Sequence, residues 1–309
     1  MKSLLSIYDL SAQEIWGIVS LAARLKSGRK KTAHLNGKSL GLIFEKPSTR
    51  TSVSFSVAMY ELGGFPLMLD AKNLQRKRGE SIYDTAQTLS RYLHGVVIRA
   101  FNHADVAEFA SAAGIPVING LTDQEHPCQI LGDILTIAEN KKIKTASALK
   151  KIKVAFVGDG NNVSYSLMAS AAVMGFSFSM ASPRGYEPGG RIVAKARDYA
   201  ARSGAEIDIM ASPQEAVRGA DVIYTDVWTS MGAESELEKR KKAFKPYQVN
   251  RKLLEYAKPA CIVMHCLPAN RGEEATAEVL DGPRSVIFDQ AENRLHIQKA
   301  ILIHLLKDV

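Results

Sequence analysis

Four short polar segments each follow an apolar run typical of a strand, and a fifth opens a helical pattern. The first segment is Ser48-Thr49-Arg50-Thr51, which combines three hydroxyls and one guanidinium at the predicted start of a helix. Hydroxyls, a guanidinium and the free N–H groups of a helix N-terminus all donate hydrogen bonds to one anion, and the helix dipole adds a favourable potential. The same residues also suit a plain helix cap followed by a surface arginine. The segment therefore predicts a phosphate site or, in the alternative, a cap.

The segment that opens a helical pattern is His126-Pro127-Cys128-Gln129. Proline is favoured in the first turn of a helix, so we expect His126 just before that turn. A histidine at this place can donate a hydrogen bond to a carbonyl oxygen. A capping or packed imidazole is the alternative interpretation.

A glycine-containing turn, Gly158-Asp159-Gly160-Asn161-Asn162-Val163, follows the strand-like run Val154–Val157. It resembles a dinucleotide-binding turn, but Val163 stands at the third glycine position. No acidic residue ends the next predicted strand, Phe176–Met180, to bind a ribose. The turn and its amide side chains therefore predict a small polar ligand, and no nicotinamide cofactor is expected.

The last two segments also follow predicted strands. Asp226 and a loop with Ser230-Met231-Gly232 come after Val222–Tyr224, and His265-Cys266-Leu267-Pro268 comes after Cys261–Met264. Ligands of open α/β sheets bind at the carboxyl ends of strands. The Asp226 carboxylate could bind an ammonium group there, or it could cap a turn.

Two alternatives involve the cysteines. Cys261, His265 and Cys266 lack the paired-ligand spacing of structural zinc sites, so no metal is expected. A cysteine nucleophile with His126 or His265 as its base lacks a supporting acid motif. Neither alternative is favoured.

The elements that must position these residues alternate between β-branched runs and helical patterns, which predicts an α/β fold of two doubly wound parallel-sheet domains. Helical spacing occurs at Phe55, Ala58, Met59 and Leu62, before Gly63-Gly64, and again at Ile82, Ala86, Leu89 and Leu93. A long amphipathic helix is expected over 290–309, packing back on the first domain. The predicted domains are 1–140 and 151–289. The predicted strands are Leu40–Phe44, Phe65–Leu69, Val96–Arg99 and Ile115–Ile118 in the first half, and Val154–Val157, Phe176–Met180, Glu206–Met210, Val222–Tyr224, Cys261–Met264 and Val286–Phe288 in the second.

Composition and charge exclude several classes of protein. The 309 residues contain 46% hydrophobic and 23% charged residues, which is typical of globular domains and excludes disordered and collagen-like chains. A net charge of +8 suits an anionic partner. The basic runs are short and lack interleaved aromatic residues, so we expect a small phosphorylated substrate and no nucleic acid.

Cysteine usage and hydropathy bear on location. Three cysteines without a CxxC pair argue against a secreted disulfide framework and favour a cytoplasmic setting. The longest uncharged stretch, Gly160–Pro183, holds asparagines and several serines, so no membrane span is expected.

Together and in this order, the segments resemble the aspartate/ornithine carbamoyltransferase family over the whole chain. Ser48-Thr49-Arg50-Thr51 is similar to the shared carbamoyl-phosphate signature. His126-Pro127-Cys128-Gln129, Asp226 with Ser230-Met231-Gly232, and His265-Cys266-Leu267-Pro268 resemble the ornithine branch. One departure is Ser52, where the family usually has a second arginine.

The resemblance implies carbamoyl transfer to the δ-amine of ornithine, in arginine biosynthesis and without a cofactor or metal. It also implies a homotrimer or a multiple of trimers, because a neighbouring subunit supplies the counterpart of Gln75. The implied catalytic residues are Arg99, His126, Asp226 and Cys266. The implied carbamoyl-phosphate residues are Ser48, Thr49, Arg50, Thr51, Gln75, Arg99, His126, Gln129, Cys266, Leu267 and Arg294. The implied ornithine residues are Asn162, Asp226, Ser230 and Met231.

Three other functions stay open at this stage: a carbamoyltransferase for another amine, a nicotinamide-dependent dehydrogenase, and a non-catalytic nucleic-acid-binding or regulatory protein. Putrescine lacks the carboxylate and α-amine that Asp226 and its loop would bind. The missing ribose acid disfavours the dehydrogenase, and scattered lysines disfavour nucleic acid. The intact set of site residues disfavours a protein without catalysis.

Overall fold

The computed structural model describes residues 3–28, 32–70, 79–229 and 236–307, which form two compact α/β units. The first unit comprises Met1–Leu135 and Glu292–Val309, and the second comprises Thr136–Ala291. The sequence placed these divisions between 140 and 151 and at 290. In the structure each division falls within a helix.

The first unit is built on a parallel sheet with, among the described residues, four strands in the order β2-β1-β3-β4. The strands are β1 (Ser39–Phe44), β2 (Phe65–Asp70), β3 (Gly95–Arg99) and β4 (Val117–Leu121). The helices are α1 (Ala12–Gly28), α2 (Thr49–Glu61), α3 (Ile82–Leu89), α4 (His103–Ala112) and α5 (Pro127–Asn140), after a short 3₁₀ helix at Ile7–Asp9.

The second unit is also a parallel sheet, in which the described residues form five strands in the order β7-β6-β5-β8-β9. Its strands are β5 (Lys153–Val157), β6 (Ser177–Ala181), β7 (Ile207–Met210), β8 (Val222–Thr225) and β9 (Ile262–His265). Its helices are α6 (Ala146–Leu149), α7 (Asn162–Met174), α8 (Gly190–Ser203), α9 (Pro213–Val217), α10 (Leu237–Phe244), α11 (Arg251–Leu254) and α12 (Ala277–Leu280), with a 3₁₀ helix at Lys245–Tyr247. The last helix, α13 (Ile287–Leu306), belongs to the first unit from Glu292 onward.

Apolar runs explain why these segments are strands. β3, β5 and β8 are almost wholly buried, as expected for parallel strands covered on both faces. In the first unit, α2 buries Phe55, Ala58 and Met59, the positions that the helical spacing selected. The chain leaves this helix through Gly63, whose φ of 82° suits a residue without a side chain. The predicted fold class is confirmed, including the return of the C-terminal helix to the first unit.

In both sheets the strand order reverses at a point where polar segments begin. In the first unit β1 pairs with both β2 and β3, and Phe44 at the end of β1 is in register with Arg99. In the second unit β5 pairs with both β6 and β8, and Thr225 at the end of β8 is in register with His265. Such switch points leave a crevice outside the carboxyl ends of the strands, where ligands bind.

Three sequence predictions differ from the structure. Val286–Phe288 is no strand, because Ile287 begins α13 and the carbonyl of Val286 accepts a helical hydrogen bond from Gln290. A three-residue apolar run cannot distinguish a strand from a helix start. The strand predicted at Ile115–Ile118 begins later, at Val117, and extends to Leu121. It follows Pro116, which has no N–H to give to a sheet ladder.

The third difference concerns α3. The apolar spacing extends to Leu93, but the helix ends at Leu89 and Leu93 is held by a turn in which its N–H donates to the carbonyl of Leu89. Separately, no helix in the described part of the chain combines the length and apolar character needed to cross a bilayer.

Candidate active site

The phosphate-type segment lies at the N-terminus of α2, directly beyond β1. Ser48 is the N-cap, and its hydroxyl accepts a hydrogen bond from the backbone N–H of Thr51 at 3.3 Å. Thr51 is buried, whereas Ser48 and Arg50 are half-buried and Thr49 is exposed. The segment is therefore a helix cap and, at the same time, a set of donors at the switch point of the first sheet.

A buried arginine ties this segment to two other elements. Arg294 of α13 donates from Nη2 to the Thr51 hydroxyl at 3.1 Å and from Nη1 to Oε1 of Gln129 in α5. Gln129 in turn donates to Oδ1 of Asp133 at 2.8 Å. Thr51, Gln129 and Arg294 are each at most 3% exposed. The structure thus joins three residues that are distant in the sequence, since Thr51 and Arg294 are 243 positions apart.

His126 lies directly before α5 and is almost fully buried. Burial, reinforced by the positive charges of Arg294, Arg99 and Arg50, holds the pKa of His126 well below its ordinary value of 6.5. The imidazole is therefore neutral at physiological pH. We refer to Ser48, Thr49, Arg50, Thr51, Arg99, His126, Gln129 and Arg294 as the phosphate cluster.

In the second unit, the turn between β5 and α7 brings an amide side chain to Asp226. The turn can pass here because Gly160 has no side chain: a Cβ would lie 2.6 Å from the backbone of Pro188. Asn161 caps α7 by accepting from the N–H groups of Val163 and Ser164, each at 3.0 Å. Its Nδ2 donates to Oδ2 of Asp226 at 2.8 Å. The sequence prediction had selected the neighbouring Asn162, which is the first residue of α7 and half-buried.

Asp226 itself is 7% exposed and follows β8. The Cys266 thiol donates to its Oδ1 at 3.1 Å, and the N–H of Val227 donates to the same oxygen at 2.8 Å. A buried carboxylate with several donors is a strong acceptor for an amine. We refer to Asn161, Asp226 and Cys266 as the Asp226 cluster.

The loop after β9 is fixed by a hydrogen bond to the buried side chain of His265. The N–H of Leu267 donates to Nδ1 of His265 at 2.8 Å, and Nε2 of His265 lies 3.1 Å from Oε1 of Glu274. Because a backbone N–H can only donate, Nδ1 carries no proton and Nε2 donates to Glu274. Leu267 has a φ of 59°, an uncommon conformation for a residue with a side chain.

A second buried contact involves Asp159, in the turn before α7. Arg240 of α10 donates from Nη1 to Oδ2 of Asp159 at 3.0 Å and to the carbonyl of Trp228 at 2.8 Å. Burial raises the pKa of Asp159 to about 6, against the lowering effect of Arg240. Asp159 belongs to the glycine-containing turn that the sequence singles out, but the sequence assigns no role to Asp159 or Arg240, because no local pattern shows that two charges 81 positions apart will meet.

Three of these residues could offer ligands to a metal ion. One ligand atom from each of Asp226, His265 and Cys266 lies within 4.8 Å of the other two. Both ring nitrogens of His265 are already engaged, by Leu267 and by Glu274. A metal would have to displace one of these contacts.

The structure distributes the predicted residues between the two units. The phosphate cluster lies in the first unit, and Asn162, Asp226, Cys266 and Leu267 lie in the second. Gln75, Ser230 and Met231 lie outside the described residues. Asp159 and Asn161 lie in the predicted polar turn without an assigned role, and the sequence prediction names neither Glu274 nor Arg240 as a site residue.

Two family models match the chain, and together they define its class. The model described as the aspartate/ornithine carbamoyltransferase carbamoyl-P binding domain matches residues 2–139, and the Asp/Orn binding domain of the same description matches residues 150–305. The chain belongs to the aspartate/ornithine carbamoyltransferase family.

Individual relatives are similar over almost the whole chain. An ornithine carbamoyltransferase of Methanothermobacter thermautotrophicus is 52% identical, with 100% of both chains covered. An anabolic ornithine carbamoyltransferase of Pyrococcus furiosus is 51% identical, covering 97% of this chain and 95% of the relative. A solved structure of ornithine carbamoyltransferase from Pyrococcus furiosus superposes with a TM-score of 0.94 at 49% identity, covering 100% of this chain and 98% of that one.

Proposed function

We propose that this chain transfers the carbamoyl group of carbamoyl phosphate to the δ-amine of L-ornithine, giving L-citrulline and phosphate in arginine biosynthesis. The structural observation that carries this conclusion is the buried Thr51–Arg294–Gln129 network at the N-terminus of α2. It supplies fixed donors beside a neutral histidine, the arrangement that a phosphorylated carbonyl compound requires. The full-length similarity to ornithine carbamoyltransferases identifies the amine.

The phosphate cluster binds carbamoyl phosphate. This substrate carries about two negative charges, and Arg50, Arg99 and Arg294 together with the N-terminus of α2 offset the charge that grows on the departing phosphate. Guanidinium groups suit this task because they present several N–H donors in a fixed plane. No metal ion is needed for this step, and we propose that the protein uses neither a metal nor an organic cofactor.

Thr51, Arg99 and His126 donate to the carbamoyl oxygen as the tetrahedral oxyanion forms. His126 is neutral, so it carries one N–H to donate. Its low pKa also makes it a poor proton acceptor, and we assign it the role of a donor and not of a base.

The Asp226 cluster binds ornithine, together with Asn162, Ser230 and Met231. The amine must be neutral to attack, and a lysine-like amine has a pKa of about 10.4. At pH 7.5 roughly one molecule in a thousand is reactive, which is equivalent to about 4 kcal/mol. Asp226 and Cys266 orient the amine and assist removal of its proton.

The bond changes balance without a further reactant. The δ-nitrogen forms a bond to the carbamoyl carbon, the bond between that carbon and the phosphate oxygen breaks, and the electron pair leaves with phosphate. One amine proton is released. Arg99, His126, Asp226 and Cys266 are the catalytic residues of this scheme.

We propose that the protein is a homotrimer or a multiple of trimers in which a neighbouring subunit supplies Gln75. In the sheet that the described residues form, β2 is one of the two edge strands, and its side chains Phe65 and Met68 are 63% and 51% exposed. Tyr60 and Val53 of the adjoining α2 are also exposed. Exposed apolar surface on a sheet edge favours association with another chain.

We further propose a cytoplasmic location, without a nucleic-acid or membrane partner. The three cysteines are all free thiols, which suits a reducing compartment.

Product formation from carbamoyl phosphate tests the proposed reaction. Ornithine, N-acetylornithine, putrescine and aspartate are offered in parallel at pH 8, and both phosphate and ureido product are measured. We expect turnover with ornithine and none with the other three. Turnover with another amine would leave the phosphate cluster in place and refute the assignment of the Asp226 cluster, and silence with all four would refute catalysis.

A further inference from the structure

The loop that carries Cys266 is attached to the body of the second unit through one buried glutamate. Glu274 is fully buried, and its Oε1 accepts from the N–H of Asn270 at 2.6 Å as well as from Nε2 of His265. The same His265 ring accepts a hydrogen bond at Nδ1 from the N–H of Leu267, so Glu274 also restrains Leu267 indirectly. One carboxylate oxygen thus holds both ends of the segment Leu267–Asn270.

We propose that Glu274 is a positioning residue for the reaction proposed above. Through His265 it fixes the backbone of Leu267, and this keeps the Cys266 thiol hydrogen-bonded to Asp226. Within the described part of the chain, the hydrogen bonds given for the Glu274 carboxylate join it to His265 and Asn270, neither of which is assigned to substrate. Its effect is transmitted through two hydrogen bonds: the N–H of Leu267 donates to Nδ1 of His265, and Nε2 of His265 donates to Glu274.

The geometry explains why such a constraint is needed. Leu267 has a φ of 59°, and a residue with a side chain adopts this conformation only where its surroundings enforce it. The bond from its N–H to His265 provides that enforcement locally. His265 is itself oriented from two sides, because its backbone N–H donates to Oε1 of Gln290 at 2.9 Å and its ring faces Glu274.

The contrast between two substitutions separates positioning from charge. Glu274→Gln keeps a side-chain oxygen that can accept from both Asn270 and His265, whereas Glu274→Ala removes both bonds. We expect Glu274→Gln to retain kcat/KM for ornithine within threefold of the parent. We expect Glu274→Ala to lower it at least tenfold, with the Kd for inorganic phosphate changed less than twofold because the phosphate cluster is intact.

The reactivity of Cys266 reports the position of the loop directly. Cys128 and Cys261 are buried, and burial raises the pKa of their thiols to about 12 and about 11. Iodoacetamide at pH 8 is therefore expected to label Cys266, which peptide mass spectrometry verifies. The hydrogen bond to Asp226 holds the half-buried thiol in place, so we expect release of the loop in Glu274→Ala to expose the thiol and raise its labelling rate at least fivefold.

A control separates this effect from general destabilisation. Ser179→Ala in β6 removes a buried hydrogen bond to the carbonyl of Ala216 in the same unit. All variants are assayed well below their unfolding temperatures and normalised to phosphate-binding sites. Ser179→Ala is expected to keep the parent labelling rate at Cys266.

Each outcome decides the proposal. Faster labelling and lower kcat/KM in Glu274→Ala, with near-parent values in Glu274→Gln, support it. A parent-like labelling rate in Glu274→Ala refutes it, and so does equal impairment of the two variants. Labelling needs no substrate, so a parent protein that makes no citrulline would refute the proposed function while Glu274 is still tested.

Discussion

At the scale of the residue, His126 shows how its surroundings determine its role. The imidazole is buried, and three arginines, Arg294, Arg99 and Arg50, add positive charge around it. Both effects disfavour a second proton. The burial that makes His126 a poor base also holds its N–H in a fixed place, as the role proposed for it toward the oxyanion requires.

The charge state of His126 can be measured directly. We expect its ring resonances in ¹⁵N–¹H NMR spectra to stay constant between pH 6 and 8, because its pKa lies well below 6.5. In the unfolded chain His126 takes up a proton near pH 6.5, whereas in the folded chain it does not. Its contribution therefore lowers the free energy of unfolding as pH falls below about 6.5. A titration of His126 centred in the measured range would contradict this.

The amine of ornithine sets a second pH dependence. Since the proposed nucleophile is the neutral amine and His126 stays neutral, kcat/KM for ornithine is expected to rise steeply, up to about tenfold per pH unit, from pH 7 toward 9. Initial rates at saturating carbamoyl phosphate measure this slope. A flat profile would contradict attack by a free amine.

Asp226→Asn tests the proposal that the Asp226 carboxylate binds the amine. The amide removes the negative charge and places an N–H₂ group among donors from Asn161, Cys266 and Val227. We expect at least a thirtyfold rise in KM for ornithine, with the Kd for inorganic phosphate unchanged in calorimetry. Asp208→Asn, an exposed aspartate of β7, is the matched control and should behave as the parent. An unchanged KM in Asp226→Asn would refute the ammonium role.

At the scale of the element, one arginine connects segments of the second unit that lie outside its sheet. Arg240 joins α10 to the turn before α7 and to the carbonyl of Trp228. Its guanidinium also lies 4.8 Å from the ring centre of Tyr186. A cation over an aromatic ring that also binds a buried carboxylate holds three segments of the second unit together.

The burial of Asp159 predicts a particular dependence of stability on pH. Its pKa is raised from 3.8 to about 6, so the folded chain binds this proton more tightly than the unfolded chain. Ionisation therefore lowers the free energy of unfolding as pH rises from about 4 to 6, by at most about 3 kcal/mol. Denaturant unfolding at pH 4 and 7 measures this. We expect the free energy of unfolding of the parent, minus that of Asp159→Asn, to be smaller at pH 7 than at pH 4. A constant difference would contradict the raised pKa.

At the scale of the whole molecule, the exposed side chains of β2 have a consequence for assembly. An unpaired sheet edge with exposed apolar residues is a surface that proteins normally cover. If a second copy covers it, a charge placed there opposes association because the charge would lose its hydration.

Phe65→Glu tests this surface. We expect the variant to elute as a monomer in size-exclusion chromatography with light scattering, and to lose activity at least a hundredfold because Gln75 of a neighbour is then missing. Tyr256→Glu, at a 43% exposed aromatic residue of the second unit, is the control and should stay assembled. A monomeric parent would refute the trimer.

Sequence by itself determined the features that depend on short-range chemistry. Alternating apolar periods predicted the sheets and most helices. The Ser48 cap, the proline at the start of α5 and the polar segments after β5, β8 and β9 were all apparent from neighbouring residues. The similarity of these motifs to the family predicted the reaction. Such features follow from side-chain type and spacing within a few residues, so no distant contact is needed to recognise them.

Tertiary structure decided which of these groups meet. Arg294 reaches Thr51 and Gln129 because α13 belongs to the first unit, and no local pattern places a lone arginine there. Asn161 bonds to Asp226, a contact between residues 65 positions apart that the turn at Gly160 and the end of β8 bring together. The burial of Glu274 is likewise visible only in the folded chain, and the pKa values of His126 and Asp159 are shifted mainly by burial. Burial and charge proximity are properties of the folded chain, since they arise from residues that the sequence separates and only packing brings together.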